Sequence, residues 1–180
     1  MLLALLAPAF ADGFAARALL RHPFLDVRGG VTGDVTGVNP ALCAALSPTA
    51  WLSFEGCGPG AGFLYPSKGP DLAHFRARAR VLGVREGRVE LDGLVGAGLA
   101  EAERAADAPG FRMGAQAGEP VETAGPEASL TLTGRAWVHP SAYVLVDLNA
   151  GAAYMAEAPR VVGTAGPIVP FVGLSAGAGF

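Results

Sequence analysis

No stretch of this chain reaches the ~18 uninterrupted apolar residues that a membrane-spanning helix requires. Yet 51% of its 180 residues are apolar and the mean hydropathy is +0.38. Charge is scarce, at 16%, against about 25% in an average soluble domain. That combination excludes intrinsic disorder, which needs high charge and low hydrophobicity. Thirteen basic residues stand against 16 acidic ones, giving a net charge of −3. There is no cationic excess to hold a polyanion, so nucleic acid is not an expected partner. Lysine is almost missing, since Lys68 is the only one. Two cysteines and three scattered histidines match no metal-ligand spacing, and no cofactor motif is present. No Gly-x-Ser-x-Gly elbow occurs. Twenty-six glycines argue against a helical bundle, because Gly costs about 1 kcal/mol per interior helix position relative to Ala. The length suits one domain.

What the chain does have is strict alternation. From Phe75 to Val84 it reads F-R-A-R-A-R-V-L-G-V, with Phe75, Ala77, Ala79 and Val81 on one face and Arg76, Arg78 and Arg80 on the other. A helix would scatter three arginines spaced by two; a strand lines them up. Beyond Arg85-Glu86-Gly87, Val89, Leu91, Val95, Ala97 and Leu99 alternate with Glu90 and Asp92. The short turn predicts an antiparallel hairpin. Pairing Val84 with Arg88 sets Arg80 opposite Asp92 and Leu82 opposite Glu90, so unlike charges meet on one face.

The arrangement recurs over 128–139 and 143–152, joined by a Pro140-Ser141-Ala142 turn, where Ser129, Thr131, Thr133, Arg135, Trp137 and His139 share a face. Pairing His139 with Tyr143 sets Arg135 opposite Asp147. A third copy surrounds Ser47-Pro48-Thr49-Ala50-Trp51, with Glu55 in the acidic position and Cys43 where the others carry Arg. Phe24–Thr32 and Ile168–Phe180 supply a seventh and an eighth strand. The connections at 33–40, 66–73, 102–126 and 157–167 are rich in Gly, Pro, Ala and acids and read as long loops that alternate with the short turns.

An apolar chain with no apolar block is what a transmembrane β-barrel requires, because its lipid-facing residues are spread one in two. Residues 2–11 end in Ala9-Phe10-Ala11 and look like the back half of a signal peptide. The expected organisation is therefore a signal peptide over 1–11, an N-terminal periplasmic segment over 12–22, and the barrel over 23–180. The expected fold is all-β: an eight-stranded antiparallel up-and-down transmembrane β-barrel.

In these features the sequence resembles small eight-stranded bacterial outer-membrane barrels of the OmpA and OmpX kind. The resemblance rests on the signal-like start, the even number of amphipathic strands, the alternation of turns and loops, and Phe180 on an apolar last strand. It implies an outer-membrane location, short turns facing the periplasm and four long loops facing outward. It also implies contact with outer-membrane lipid, a monomeric state, and recognition of Phe180 by the barrel assembly machinery.

Parity assigns Asp26, Arg28, Glu55, Arg76, Arg78, Arg80, Glu90, Asp92, Arg135 and Asp147 to the interior, five positive against five negative. A charge facing hydrocarbon costs about 2–4 kcal/mol near the midplane, so the charged face must line the lumen. An eight-stranded barrel is only wide enough for side chains to fill. The expectation is a self-satisfying charge network and a non-enzymatic protein with a structural or surface-interaction role. The alternatives are a narrow porin-like channel and a lipid-modifying hydrolase, the latter needing a base beside a nucleophile such as Ser175. A soluble lipocalin-like barrel needs the opposite polarity. Trp51, Trp137 and Tyr143 are expected to plug the turn end. The acids Glu101, Glu103, Asp107, Glu119, Glu122 and Glu127 read as a solvated loop. Cys43 and Cys57 fall on neighbouring strands of the first hairpin. They are diagonal if Ser47 faces Trp51 and directly opposite if the register shifts by two. A disulfide is the expectation for an exported chain.

Overall fold

The computed structural model describes residues 23–35, 37–58, 71–104 and 111–180. The signal-like start and the 12–22 segment lie outside the described residues. Eight strands form a closed barrel in sequence order. They are β1 (Leu25–Asp34), β2 (Gly37–Leu46), β3 (Leu52–Gly58), β4 (Asp71–Glu86), β5 (Val89–Glu103), β6 (Glu122–His139), β7 (Ala142–Tyr154) and β8 (Ile168–Gly179). Every neighbouring pair is antiparallel, and β1 closes on β8 from Asp26↔Gly179 to Asp34↔Phe171. A one-turn helix, α1 (Ala158–Val161), lies between β7 and β8.

Period-two patterning decides which residues face where. Along β8, Val169, Phe171 and Ser175 are buried while Ile168, Val172 and Leu174 are exposed. Phe180 follows them outward. The same alternation turns Val27, Val31, Phe54, Phe75, Leu130, Val144 and Val146 to the outside. Polarity is thus reversed relative to a water-soluble domain: the wall is apolar and the interior carries the charge.

Several local expectations change. The stretch 33–40 is not a loop. β1 and β2 pair down to Asp34↔Gly37, leaving a two-residue connection that Gly37 permits with φ 128°. Loop-like composition yields here to cross-strand pairing. β5 likewise runs to Glu103 and β6 starts at Glu122, which shortens the 102–126 loop. β4 begins at Asp71, inside the expected 66–73 connection.

All three short-turned hairpins shift register, two of them through irregularities in the ladder. Pairing in β4–β5 reaches Glu86↔Val89, and a bulge between Arg80 and Leu82 sets Arg80 opposite Leu94 rather than Asp92. The extra residue lets Val81 and Leu82 both point outward, so Leu82 does not face Glu90 inside the barrel. Arg85 becomes the partner of Glu90. In β6–β7 a second irregularity, between Trp137 and His139, moves the register by two, so that Arg135 faces Leu145 and Thr133 faces Asp147. A shift of two preserves the face of every side chain but changes its neighbour.

Candidate functional site

The ten inward charges separate into two electrically balanced layers. The middle layer takes Arg28 from β1, Arg76 and Arg78 from β4, and answers them with Asp26, Glu55 and Asp147. Glu55 is the hub. It accepts from the Arg28 guanidinium, from Arg76 Nε at 2.6 Å and from Arg78 Nη1 at 2.7 Å. Arg28 also reaches Asp26 at 2.7 Å and Asp147 at 2.9 Å. Arg78 lies 3.3 Å from Asp147, which also accepts from the Thr133 hydroxyl at 2.8 Å. All six charged side chains are buried. A buried charge costs several kcal/mol unless paired, so three cations among three carboxylates is what a closed polar interior demands.

The second layer lies nearer the short turns. Arg135 donates to Asp92, and Arg80 reaches Glu90 at 2.9 Å and Asp92 at 3.4 Å. The expected Arg80–Asp92 contact therefore exists, although the two residues are not opposite. Arg135 meets Asp92 instead of its expected partner Asp147, because the two-residue shift carries Asp147 into the middle layer.

Sequence reasoning missed a further pair. His74 on β4 and Glu127 on β6 are both buried, with Nδ1 2.5 Å from Oε2. Their parity with Arg76 and Ser129 places both inside, whereas the acidic composition around Glu127 reads as a loop.

Both ends of the interior are filled. Toward the turns, the rings of Trp137 and Tyr143 meet at a tilt of 53° with centroids 5.0 Å apart, and Leu145 packs beside them. Trp51 does not join this plug. It sits in the β2–β3 turn and is exposed. The neighbouring crevice, reaching Arg80 and Arg135, has about 10 Å³ of room, space for a single water. Toward the loops, Met155 and Ala158 drop onto Leu72, Ala100, Val169 and Phe171. The His74 ring lies 4.4 Å from that of Phe171 and joins this apolar cluster to the charged layers.

A hydrogen-bonded cap holds the apolar cluster in place. The Gln116 N–H donates to Glu157 at 3.0 Å, and Arg160 Nη1 reaches Glu157 at 2.9 Å. Arg160 also donates to the Gly118 carbonyl. Arg104 donates to the Val161 carbonyl at 3.3 Å. The Gln116 hydrogen bond, followed by Arg160, holds the Glu157 carboxyl below its usual range.

At the loop end, Glu101, Glu103 and Glu122 bring ligand oxygens within 4.8 Å of one another, and Glu122 is fully buried at the start of β6 rather than part of a solvated loop. Arg112 stands 2.7 Å from Glu122, so a guanidinium already serves this cluster. Asp107 lies outside the described residues. Glu119 pairs with Arg104 on the surface at 2.8 Å. Ser175 faces inward opposite Asp147, whereas His139 bonds Ser141 at 2.9 Å in the exposed β6–β7 turn. No described histidine is bonded to Ser175. Cys43 and Cys57 are directly opposite and joined by a disulfide; this is the two-residue shift of the register with Ser47 facing Trp51.

No protein-family model matches the sequence, and no curated protein matches it. Solved structures do. Neisserial surface protein A superposes with a TM-score of 0.53 at 13% identity, covering 86% of this chain and 92% of that one. Ail, the attachment invasion locus protein of Yersinia pestis, follows with a TM-score of 0.41 at 14% identity, over 89% and 100% of the two chains. At these identities the likeness speaks to the fold, and NspA carries it. With the closed eight-strand topology, it establishes that this chain has the up-and-down β-barrel fold of small bacterial outer-membrane proteins.

Proposed function

We propose that the protein is a plugged, non-enzymatic outer-membrane barrel that lies in lipid and does its work through the connections at its loop end. The observation that carries this reading is the reversed polarity. Leu130 and Val144 are 66% and 46% exposed on the wall, while Arg28 and Asp147 are 1% exposed inside. In water such a wall would be a large aggregation-prone patch; in a bilayer it is the solvated surface. A lipocalin-like soluble barrel calls for the opposite arrangement.

The filled ends and the two neutral charge layers favour a structural interior over a conducting one. Among the described residues Ser175 has no bonded histidine, and the Ser–His contact that is present, His139 with Ser141, joins residues two apart in the exposed β6–β7 turn, so the hydrolase stands second. The capped segments 111–121 and 155–167 are the surface offered to a partner, and the tight β1–β2 connection contributes little to it. Phe180, outward beside β1, is the residue we assign to recognition by the assembly machinery.

The test expresses the full-length chain, fractionates the envelope and compares unheated with heated samples on detergent gels. The expected result is outer-membrane recovery, heat-modifiable migration and no conductance steps in a planar bilayer. Recovery as a soluble protein would overturn the reading, and steady ion conductance would restore the channel.

A further inference from the structure

Glu101 and Glu103 lie on β5, and Glu122 opens β6. Glu103 stands directly across the ladder from Glu122, and Glu101 is two residues along on the face of Glu103. Like charges directly opposite destabilise a sheet. Here a third carboxylate joins the pair, and one oxygen from each lies within 4.8 Å of the others. By alternation, Glu101 and Glu103 continue the outward row of Val95, Ala97 and Leu99, and Glu122 continues that of Leu130, Ala128 and Pro126. The acids begin where the apolar wall ends.

Glu122 is unlike an ordinary rim acid. Its side chain is fully buried, although Pro126, Ala128 and Leu130 in the same row are exposed. Arg112 Nε reaches its Oε1 at 2.7 Å. Its Oε2 is buried and has no hydrogen-bond partner among the described residues. A buried carboxylate oxygen is costly to keep ionised unless a cation answers it.

The donor set suits a hard divalent ion. Calcium takes carboxylate oxygens at about 2.3–2.6 Å in flexible geometry, so oxygens within 4.8 Å of one another can all touch one ion. Magnesium dehydrates reluctantly and is usually held by fewer carboxylates. Glu101 and Glu103 are half-buried and Arg112 is exposed, which leaves a path in from solvent.

We propose that Glu101, Glu103 and Glu122 form a calcium site at the loop-end rim of β5 and β6. The ion takes Oε2 of Glu122 while Arg112 keeps Oε1. Binding there fastens the segment that carries Arg112. The Arg112 carbonyl accepts from the Ala124 N–H at 2.9 Å, Met113 bridges Ala124, and Phe111 meets Phe75 edge-on with centroids 5.4 Å apart.

The experiment is calorimetric titration of calcium chloride into the full-length folded barrel, stripped with chelator and held in non-ionic detergent. The expected result is one ion per chain with a Kd of about 0.1–1 mM, the range of extracellular calcium modules, and magnesium weaker by about tenfold or more. Glu101→Gln and Glu103→Gln, at incompletely buried positions, should each weaken binding by about tenfold or more. Glu119→Gln, outside the cluster, should leave it unchanged. Arg112→Gln should tighten it, because the guanidinium competes for Glu122. Calcium should also slow hydrogen exchange of the Ala124 amide in the parent and not in Glu103→Gln. Heat-modifiable migration identifies each variant as folded. Absence of saturable binding up to about 10 mM calcium would overturn the proposal. So would binding that survives both Glu101→Gln and Glu103→Gln, or magnesium binding as tight as calcium.

Discussion

Replacing Glu55 with Gln keeps the size of the hub and removes its charge. The three arginines around it do not suffer equally. Arg28 keeps Asp26 at 2.7 Å and Asp147 at 2.9 Å, and Arg78 keeps Asp147 at 3.3 Å. Among the described carboxylates Arg76 keeps Glu127 alone, at 3.9 Å. The substitution therefore strands one guanidinium more than it weakens the other two. Removing one partner of a buried ion pair costs about 3–5 kcal/mol. Gln retains an acceptor oxygen, so the lower end, about 3 kcal/mol, is expected here.

Arg76→Met should cost less, because Glu55 keeps two cations. The double variant should be more stable than the sum of the singles predicts, with about 1 kcal/mol or more of coupling. Urea titration of the barrel in vesicles, followed by the fluorescence of Trp51 and Trp137, reads all three values. Glu119→Gln is the control. It breaks an exposed pair with Arg104 and should cost less than about 1 kcal/mol. A Glu55→Gln variant no less stable than this control, or strict additivity with Arg76→Met, would refute the hub.

Three further outcomes follow from the same geometry. Val146→Arg puts a charge on the wall and should cost about 2–4 kcal/mol in a bilayer if that wall meets hydrocarbon; insertion without loss would place it elsewhere. Gly177→Ala should destabilise by about 1–3 kcal/mol, because its Cβ would lie 2.0 Å from the Val27 carbonyl oxygen and 2.7 Å from Arg28 Cα on the facing strand. Gly134→Ala, with nothing within 4 Å, should stay within about 0.5 kcal/mol of the parent in the same titration. Glu157 has a lowered pKa, so its ionised form favours the folded cap. That contribution is present above the unfolded value of 4.5 and is lost as pH falls through the lower folded value. Acidification through that window should lower the protection of amides in 114–118 and 155–162, measured relative to their intrinsic exchange rates at each pH, and Glu157→Gln should abolish that loss of protection.

Much of the barrel was legible because its rule is local. Side-chain direction alternates along a strand, so each residue carries its own vote for wall or interior. Arg76, Arg78 and Arg80 stood against Phe75, Ala77 and Ala79 in the sequence and occupy opposite faces in the structure. The errors came where direction depends on a partner. Nothing in Arg80-Val81-Leu82 announces a bulge, which arises from fitting β4 against β5. The 33–40 stretch has loop composition but is held as strand by β1.

The sequence by itself determined the strand count and the facing of nearly every strand residue, since both follow from period-two patterning; it did not fix the buried charge count, because Glu122 and Glu127 are buried as well. The tertiary structure decided who pairs with whom. Register shifts of two residues leave facing intact and change every neighbour, which is why Arg135 meets Asp92, Asp147 joins Arg28, and Cys43 lies directly across from Cys57. The end plugs were also a tertiary outcome. Met155, Phe171 and Leu72 lie far apart in the chain, and only closing the cylinder brings them into one apolar cluster.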